Sequence, residues 1–522
     1  MLSPVFEPAP SLLREGDTCW KVSTARRATL LIDGEEYFNA LRSVLLQARK
    51  QILIAGWDFD TRAELPAYGP PESELRTAPT ELGELLGYLM RTRPGIEIHV
   101  MRWDYHAIYW QDREFTTQRR LQKLGVRFHS DGAHTFFGCV HHKVVLIDDA
   151  IAFCGGIDLT HKRWDTCGHD PKDPRRCDHE GTSYTPVHDT QLCVTGPIVA
   201  VLGDYLRQCW HLATGSCPLP LEHRATLWPA DVRVDFCNIR VGVSRTLPPR
   251  GVQPLVREVE RLYLAAISGT QRELYVENQY FTSTVIAQAI ADQCRHVPQL
   301  QGLLVGCARP KTFFETHTMG YGRTNFYEVL AASPALERVP LVAALDSSGH
   351  GINVHSKLAI FDDRLLTVGS ANLNRRSMGF DVECNLVLEA RDEGQRRRMR
   401  SLRNRLLAEH LDLTLDEVPF AVRQHGLAGL PAAIQRRRKL IAVQMNEPKP
   451  KLGPVLVPFF DREQPWQSLL PPAQRDTILN WQSAVVLLTV ALAAALLGHS
   501  VLSDEEATLA SLQRLMMMLG TG

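Results

Sequence analysis

Short apolar runs alternate along the chain with longer segments in which apolar residues recur at helical spacing. The runs are bounded by polar residues and predict buried strands, whereas Tyr37–Lys50 and Pro254–Ser268 predict helices that lead into strands. Helices and strands that alternate in this way indicate an α/β fold. The predicted strands cover residues 51–55, 96–101, 144–147, 274–277, 303–305 and 358–361.

One segment of the chain occurs twice. Residues 140–159 read VHHKVVLIDDAIAFCGGIDL and residues 354–373 read VHSKLAIFDDRLLTVGSANL, with Val, His, Lys, two Asp, Gly and Leu at matching places. A predicted helix and a short strand precede both copies. We therefore expect two similar α/β halves, each with a mixed sheet flanked by helices, related by a pseudo-twofold axis that brings both copies to one interface.

The repeat and the changes in composition divide the chain into four parts. The first half, with the first copy of the repeat, covers residues 1–224, and the second half covers 225–415. Residues 416–475 are basic and rich in proline, which is typical of a linker. Residues 476–522 form a C-terminal helical segment and tail, which we expect to be transmembrane or membrane-associated.

Ser483–Leu502 carries no charged residue and has about the length that crosses a bilayer. Trp481 stands at its front edge, where interfacial aromatic residues are common. Basic residues precede the stretch and Asp504–Glu506 follows it, so the positive-inside rule places the catalytic part on the cytoplasmic side of the membrane. The alternative is a buried helix in a soluble cytoplasmic protein.

The overall composition is that of a globular protein, with 44% hydrophobic and 22% charged residues. Lys and Arg number 58, as do Asp and Glu, so any attraction to an anionic substrate has to be local. The chain has 12 cysteines, and we see no secretory signal in its first residues. Cysteines without export predict reduced thiols in a cytosolic setting.

A cysteine- and histidine-containing loop has a spacing that is compatible with zinc. Cys167 and His169, followed by Cys177 and His179, lie in a short segment rich in Pro, Asp and Arg. No predicted strand or helix frames this segment, so we interpret its cysteines as incidental. We expect neither a metal nor a cofactor.

The repeated histidine and lysine carry the candidate chemistry. On a strand, His141 and Lys143 would point to the same face, as would His355 and Lys357, because strand side chains alternate. Phosphoryl transfer uses such a set. Lysines stabilise the negative charge of the transition state, a neutral histidine attacks phosphorus, and a protonated histidine donates to the leaving oxygen. A modest difference in environment would keep one imidazole neutral and the other charged.

Each copy also contains an aspartate after the apolar run, Asp148 or Asp362, which we interpret as structural. The first copy ends in Asp158 where the second has Asn372. A carboxylate that pointed inward would repel phosphate, so we do not assign Asp158 to substrate binding. Trp57, just after the predicted strand at residues 51–55, is a candidate for lining the site or for packing in the core.

Both copies resemble the HxKxxxxD…G(G/S)x(N/D) motif of the phospholipase D superfamily, and the resemblance extends over roughly residues 30–415. Three flanking segments occur in the order found in its phospholipase branch. These are Arg163-Trp164-Asp165, Val187-His188-Asp189 and Glu277-Asn278-Gln279-Tyr280.

The resemblance implies a shared site between two halves and a phosphohistidine intermediate. His141 would be the nucleophile and His355 the general acid and base, with phosphoryl oxygens held by Lys143, Lys357 and Asn372. An acidic residue after each motif would orient a histidine, and Asp189 and Glu383 are the candidates. The candidate catalytic set is His141, Lys143, Asp148, His355, Lys357, Asp362 and Asn372.

The implied function is a phospholipase D-like phosphodiesterase that cleaves phospholipid headgroups, with possible transphosphatidylation. A cardiolipin synthase-type phosphatidyltransferase is the alternative, and the two differ in whether water or an alcohol resolves the intermediate. The expected partners are a phospholipid and a membrane surface. The balanced charge argues against a nuclease of the same superfamily.

Overall fold

The computed structural model describes residues 10–104, 116–132, 138–222, 226–249, 254–309 and 315–443, together with Lys449, Pro454, Val457 and Asp461. The strands are β1 (Lys21–Ile32), β2 (Gln51–Gly56), β3 (Glu97–Trp103), β4 (Arg127–Asp131), β5 (Val144–Ile147), β6 (Ile151–Gly155), β7 (Val187–His188), β8 (Thr190–Thr195), β9 (Phe236–Leu247), β10 (Val256–Arg257), β11 (Glu273–Asn278), β12 (Gln301–Gly306), β13 (Leu341–Leu345), β14 (Asn353–Val354), β15 (Lys357–Phe361), β16 (Leu365–Gly369), β17 (Glu383–Glu389) and β18 (Lys439–Ala442).

The helices are α1 (Asp33–Gln47), α2 (Glu74–Thr77), α3 (Leu82–Thr92), α4 (Thr117–Lys123), α5 (Ile198–Thr214), α6 (Glu258–Gly269), α7 (Thr284–His296), α8 (Tyr321–Ala331), α9 (Ala335–Arg338), α10 (Arg375–Gly379), α11 (Glu393–Leu411) and α12 (Glu417–Ala433). A π-helical turn, Thr316–Gly320, precedes α8. Each of the six predicted strands is present within two residues of its expected bounds, and the predicted α/β class is confirmed.

Nearly all strands form one large mixed sheet, with β1 and β9 paired antiparallel at its centre. Outward from β1 the order is β8, β6, β5, β2, β3 and β4. Outward from β9 it is β17, β16, β15, β11, β12, β13 and β18. The parallel pairs are β2–β3, β3–β4, β11–β12 and β12–β13, so both sides use the same pairing pattern. A two-fold relation between the halves would give this order.

The two halves share one hydrophobic core. A single apolar cluster contains Val144 and Cys154 of the first half and Leu366 and Cys384 of the second. The Cys154 thiol donates to the Cys384 carbonyl, with 3.7 Å between sulfur and oxygen. Because these apolar strands bury both faces, they read in the sequence as continuous hydrophobic runs.

The motif aspartates fix the hairpin that follows each histidine–lysine pair. Asp148 and Asp362 have a φ of 52°, a left-handed conformation that suits Asp in a tight turn. The Asp148 carboxylate accepts the backbone N–H groups of residues 49, 50 and 51 at 2.7–2.8 Å. Asp362 accepts those of residues 271, 272 and 273 at 2.7–2.9 Å. Their described contacts therefore tie the hairpin to the neighbouring strand, as the structural interpretation expects.

The C-terminal part of the description differs from the expected linker. Within residues 416–475, α12 buries Val418, Leu427 and Leu430, and β18 adds an antiparallel strand to β13. This helix is kinked at Gly426 and ends before the basic run at Arg436–Lys439, on which the linker prediction rested. Within the residues that the structure describes, no helix combines the length and apolar character of a bilayer span. The candidate membrane segment, residues 476–522, lies outside the described residues.

Candidate active site

Short parallel backbone pairings carry each motif histidine into the opposite half. Val140 bridges Val382, and the His141 N–H donates to the Val382 carbonyl at 2.8 Å. In the same way β14 pairs with β7, and the His355 N–H donates to the His188 carbonyl at 2.7 Å. Regular strands begin only after the histidines, at β5 and β15, so the histidines lie in extended lead-in segments rather than on the strands predicted for them.

Each histidine meets the candidate carboxylate of the other half. His141 Nδ1 lies 3.1 Å from Glu383 Oε2, and His355 Nδ1 lies 2.6 Å from Asp189 Oδ2. A neutral imidazole that donates from Nδ1 keeps the lone pair of Nε2 for a reacting group. The arrangement holds both rings in an orientation suited to nucleophilic or acid–base chemistry.

The residues at the end of each motif support these carboxylates in two ways. Ser370 Oγ donates to Glu383 Oε2. At the equivalent place in the first half, a Cβ on Gly156 would overlap the Asp189 carboxylate, so glycine is required there for space. Asp189 also accepts the N–H of Thr190 at 2.8 Å. The two motifs are therefore adapted to their different orienting carboxylates.

Both motif lysines are buried, and each donates a hydrogen bond to the backbone carbonyl of the motif histidine two residues before it. Lys143 Nζ donates to the His141 carbonyl at 2.8 Å, and Lys357 Nζ donates to the His355 carbonyl. Lys357 Nζ also donates to Gln279 Oε1 at 3.2 Å. Gln279 belongs to a flanking segment noted in the sequence, but the spacing alone gave it no role.

The two lysines differ in the residue that ends each motif. Asp158 Oδ2 lies 3.2 Å from Lys143 Nζ, and Asp158 Oδ1 accepts the N–H groups of Trp57 and Asp58 at 3.0 and 3.1 Å. Asn372 is neutral, and its buried Oδ1 has no hydrogen-bond partner among the described residues. The carboxylate thus neutralises Lys143 and does not stand alone against a phosphate.

The electrostatics of the site set the protonation of its histidines. Burial lowers the pKa of His141 well below 6.5, and Lys143 and Lys357 lower it further. Burial also lowers the pKa of His355 well below 6.5, helped by Lys357, Arg163 and Lys143. Both shifts favour the neutral imidazole, whereas the sequence led us to expect one neutral and one charged ring. Arg163 is a further cation that the sequence placed in a flanking segment without a role.

Burial also shifts the pKa values of the neighbouring carboxylates and lysine, in each case toward the uncharged form. It raises the pKa of Asp189 and of Glu383 to about 7 each, and it lowers the pKa of Lys357 to about 7. A site in which burial works against every charge is poised to gain from a bound anion, because that anion restores the positive charge of lysine and histidine.

Several known proteins resemble this chain in sequence. Residues 263–400 match the family model described as "Cardiolipin synthase, PLD-like domain". The chain is 23% identical over 433 residues to phospholipase D A of Dictyostelium discoideum, covering 70% of this chain and 33% of that protein. It is 26% identical over 284 residues to the cardiolipin synthase of Geobacillus sp. (strain WCH70), covering 54% of this chain and 49% of that protein.

The chain is therefore similar to proteins named phospholipase D and cardiolipin synthase.

Among solved structures, the phosphatidylserine synthase of Haemophilus influenzae Rd KW20 has the same fold, with a TM-score of 0.51 and 12% identity over 76% of this chain and 92% of that one. The chain spans about a third of the length of the phospholipase D relatives that it matches.

The candidate set separates into two groups in the structure. His141, Lys143, His355 and Lys357 come together at the interface with the two carboxylates, whereas Asp148 and Asp362 bind backbone amides at the far ends of β5 and β15. The Trp57 ring lies 6.5 Å from the His141 ring, centroid to centroid, and stacks on Trp103 at 5.8 Å. Trp57 therefore forms part of the wall beside the first histidine.

Proposed function

We propose that this protein cleaves or transfers the headgroup phosphodiester of phospholipids through a phosphohistidine intermediate on His141. The observation that carries the proposal is the crossed pair of contacts, His141 with Glu383 and His355 with Asp189, which gives one interface two oriented imidazoles. The names of the similar proteins, phospholipase D and cardiolipin synthase, support a phospholipid as the substrate class.

In the first step, Nε2 of His141 attacks phosphorus and the bond from phosphorus to the leaving alcohol breaks. The leaving oxygen takes a proton from His355. Since His355 is neutral in the ligand-free site, it acquires that proton when the negative phosphodiester binds and raises its pKa. Glu383 accepts the Nδ1–H of His141 and stabilises the positive charge that develops on the attacking ring.

In the second step, water or an acceptor alcohol attacks the phosphohistidine. His355, now neutral, removes the proton of the attacking hydroxyl, and the bond from phosphorus to His141 Nε2 breaks. The products are phosphatidic acid with water, or a new phosphodiester with an alcohol. Either resolution uses the same residues, so the acceptor decides between hydrolase and transferase.

The lysines and the motif amide supply the electrostatic part of the mechanism. We infer that Lys357, whose pKa falls to about 7 in the buried site, regains full charge when a phosphoryl oxygen binds. Lys143 would divide its charge between the phosphate and Asp158. Asn372 would contribute a neutral amide. This asymmetry places the stronger oxygen-binding site in the second half.

A lipid panel tests the proposal. The purified full-length protein is mixed with vesicles of phosphatidylcholine, phosphatidylethanolamine or phosphatidylglycerol, with and without added glycerol, and products are read by mass spectrometry. We expect phosphatidic acid or a new phosphatidyl alcohol. His141→Ala and His355→Ala should each lose at least about 10²-fold in turnover, whereas His425→Ala on the exposed face of α12 should not.

Two results would overturn the proposal. Substantial residual lipid turnover in either histidine variant contradicts the two-histidine mechanism. Cleavage of an oligonucleotide by the wild type, with no product from any lipid, contradicts the substrate class.

A further inference from the structure

A second group of titratable side chains lies behind the candidate active site. Asp33 at the start of α1, His169 in the loop before β7, His188 in β7 and Glu409 in α11 converge on one point. All four are buried, the most exposed being Glu409 at 6%. One donor atom from each residue lies within 4.8 Å of the other three.

Each histidine of this group lies close to both carboxylates. His188 Nδ1 lies 2.6 Å from Glu409 Oε1 and 3.1 Å from Asp33 Oδ1. His169 Nε2 lies 3.1 Å from Glu409 Oε1 and 3.6 Å from Asp33 Oδ2. Four ligands on bonds of about 2.1 Å around zinc would stand about 3.4 Å apart, so small side-chain shifts accommodate an ion.

Two of these atoms have no hydrogen bond to satisfy them. His188 Nδ1 makes no hydrogen bond of acceptable geometry among the described residues, although two carboxylate oxygens lie within 3.1 Å of it. Asp33 Oδ2 also makes none there, and His169 Nε2 lies 3.6 Å from it. Both side chains are almost fully buried. Buried polar atoms are rarely left without a partner. A positive ion at the point of convergence would satisfy both.

The opposite nitrogen of each ring is held by a carboxylate. His169 Nδ1 lies 3.0 Å from Asp165 Oδ2, and His188 Nε2 lies 2.9 Å from Glu277 Oε2. Histidines that bind metals characteristically donate their other N–H to a carboxylate, which fixes the ring with its free nitrogen toward the metal. In both rings the nitrogen left for a ligand faces the cluster.

Charge also favours a divalent ion. Asp165 is paired with Arg176 at 3.0 Å, whereas Asp33 and Glu409 have no Lys or Arg side chain in an ion pair with them among the described residues. We propose that Asp33, His169, His188 and Glu409 bind one divalent transition-metal ion, with zinc as the expected ion, in a closed four-ligand structural site. Two imidazoles and two carboxylates are ligands that zinc accepts.

The proposed ion would hold together the parts that present the active site. It joins α1 and β7 of the first half to α11 of the second. The His188 carbonyl accepts the N–H groups of His355 and Ser356 at 2.7 and 3.2 Å, and the next residue along the chain is Asp189. The cysteines of the loop take no part, because Cys167 and Cys177 are exposed. This inference does not depend on the proposed reaction.

Metal analysis of the full-length protein tests the site. The protein is expressed in zinc-supplemented medium, purified without chelator and analysed by inductively coupled plasma mass spectrometry and zinc-edge X-ray absorption. We expect about one ion per chain with only nitrogen and oxygen neighbours at about 2.0–2.1 Å. His169→Gln should lose the ion and melt at a lower temperature, whereas His179→Gln, exposed in the same loop, should keep it.

The competing arrangement is a metal-free network in which protons on His169 and His188 balance the carboxylates. Wild-type protein with no stoichiometric metal would establish that network and overturn the proposal. Sulfur neighbours at about 2.3 Å, or full metal content in His169→Gln, would also overturn it. If His169→Gln does not fold, the metal content and ligand distances of the wild type decide alone.

Discussion

Nδ1 of His355 lies 2.6 Å from Oδ2 of Asp189, although the two residues belong to different halves of the chain. The converse contact joins His141 of the first half to Glu383 of the second. Each half therefore contains a histidine that only the other half orients. This crossing makes the duplicated chain, rather than a single half, the functional unit.

Removing either orienting carboxylate should affect a different step. With a leaving group that needs no proton, His355 acts only in the second step, so Asp189→Asn should slow that step by roughly 10²–10⁴-fold and the intermediate should accumulate. Glu383→Gln acts on His141 and should slow formation of that intermediate. Rapid-quench kinetics with bis(p-nitrophenyl) phosphate, whose leaving group needs no proton, separate the two steps.

The matched control for these variants is Asp292→Asn, an exposed carboxylate on α7. It should leave both steps and the melting temperature unchanged. If Asp189→Asn and Glu383→Gln each lower the rates of both steps by the same factor, the carboxylates support the fold and do not position individual histidines.

The two histidines can be told apart with a leaving group that needs no proton. With bis(p-nitrophenyl) phosphate, His355→Ala should still release about one equivalent of nitrophenolate per chain and then stop. Hydrolysis of the phosphohistidine intermediate would lack the general base that activates water. His141→Ala should give no burst. Stopped-flow absorbance follows the burst, and peptide mass spectrometry locates the adduct on His141. An adduct on His355 would reverse the assigned roles.

Glu383 should make stability depend on pH. Burial raises its pKa from 4.5 to about 7, so between these values the folded protein holds a proton that the unfolded chain has released. The stability from this group is complete below about pH 4.5 and is lost as pH rises through about 7, by on the order of 3 kcal/mol.

Glu383→Gln cannot ionise, and this provides the measurement. It should melt several degrees above the wild type at about pH 8, with a smaller difference at about pH 5. Differential scanning calorimetry at both pH values checks the sign. A difference that stays the same at both would show that ionisation of Glu383 does not control stability.

The C-terminal segment should determine where the protein resides. Deleting residues 476–522 should move it from the membrane fraction to the soluble fraction, because Ser483–Leu502 supplies the apolar length that a bilayer requires. Fractionation followed by immunoblotting compares the full-length and shortened chains, and both should remain folded. Full-length protein that is already soluble without detergent would contradict membrane anchoring.

The sequence alone determined much of this protein. Apolar runs such as Val144–Ile147 are buried on both faces, so composition and length were enough to identify them as strands. The repeat located His141, Lys143, His355 and Lys357 because identical residues at identical spacing in two places rarely arise without a shared role. The resemblance to a known superfamily supplied Asp189 and Glu383 as candidates.

Only the tertiary structure decided which groups meet. The contacts of His355 with Asp189, of Lys143 with Asp158 and of His188 with Glu409 depend on strand order and on the path of α11, which local sequence does not encode. The direction of the histidine pKa shifts was decided there too, because burial and neighbouring lysines lower the pKa of both rings where the sequence suggested unlike charges. Local pattern specifies elements and residue types, whereas long-range packing sets distances and the dielectric environment, and these control the chemistry.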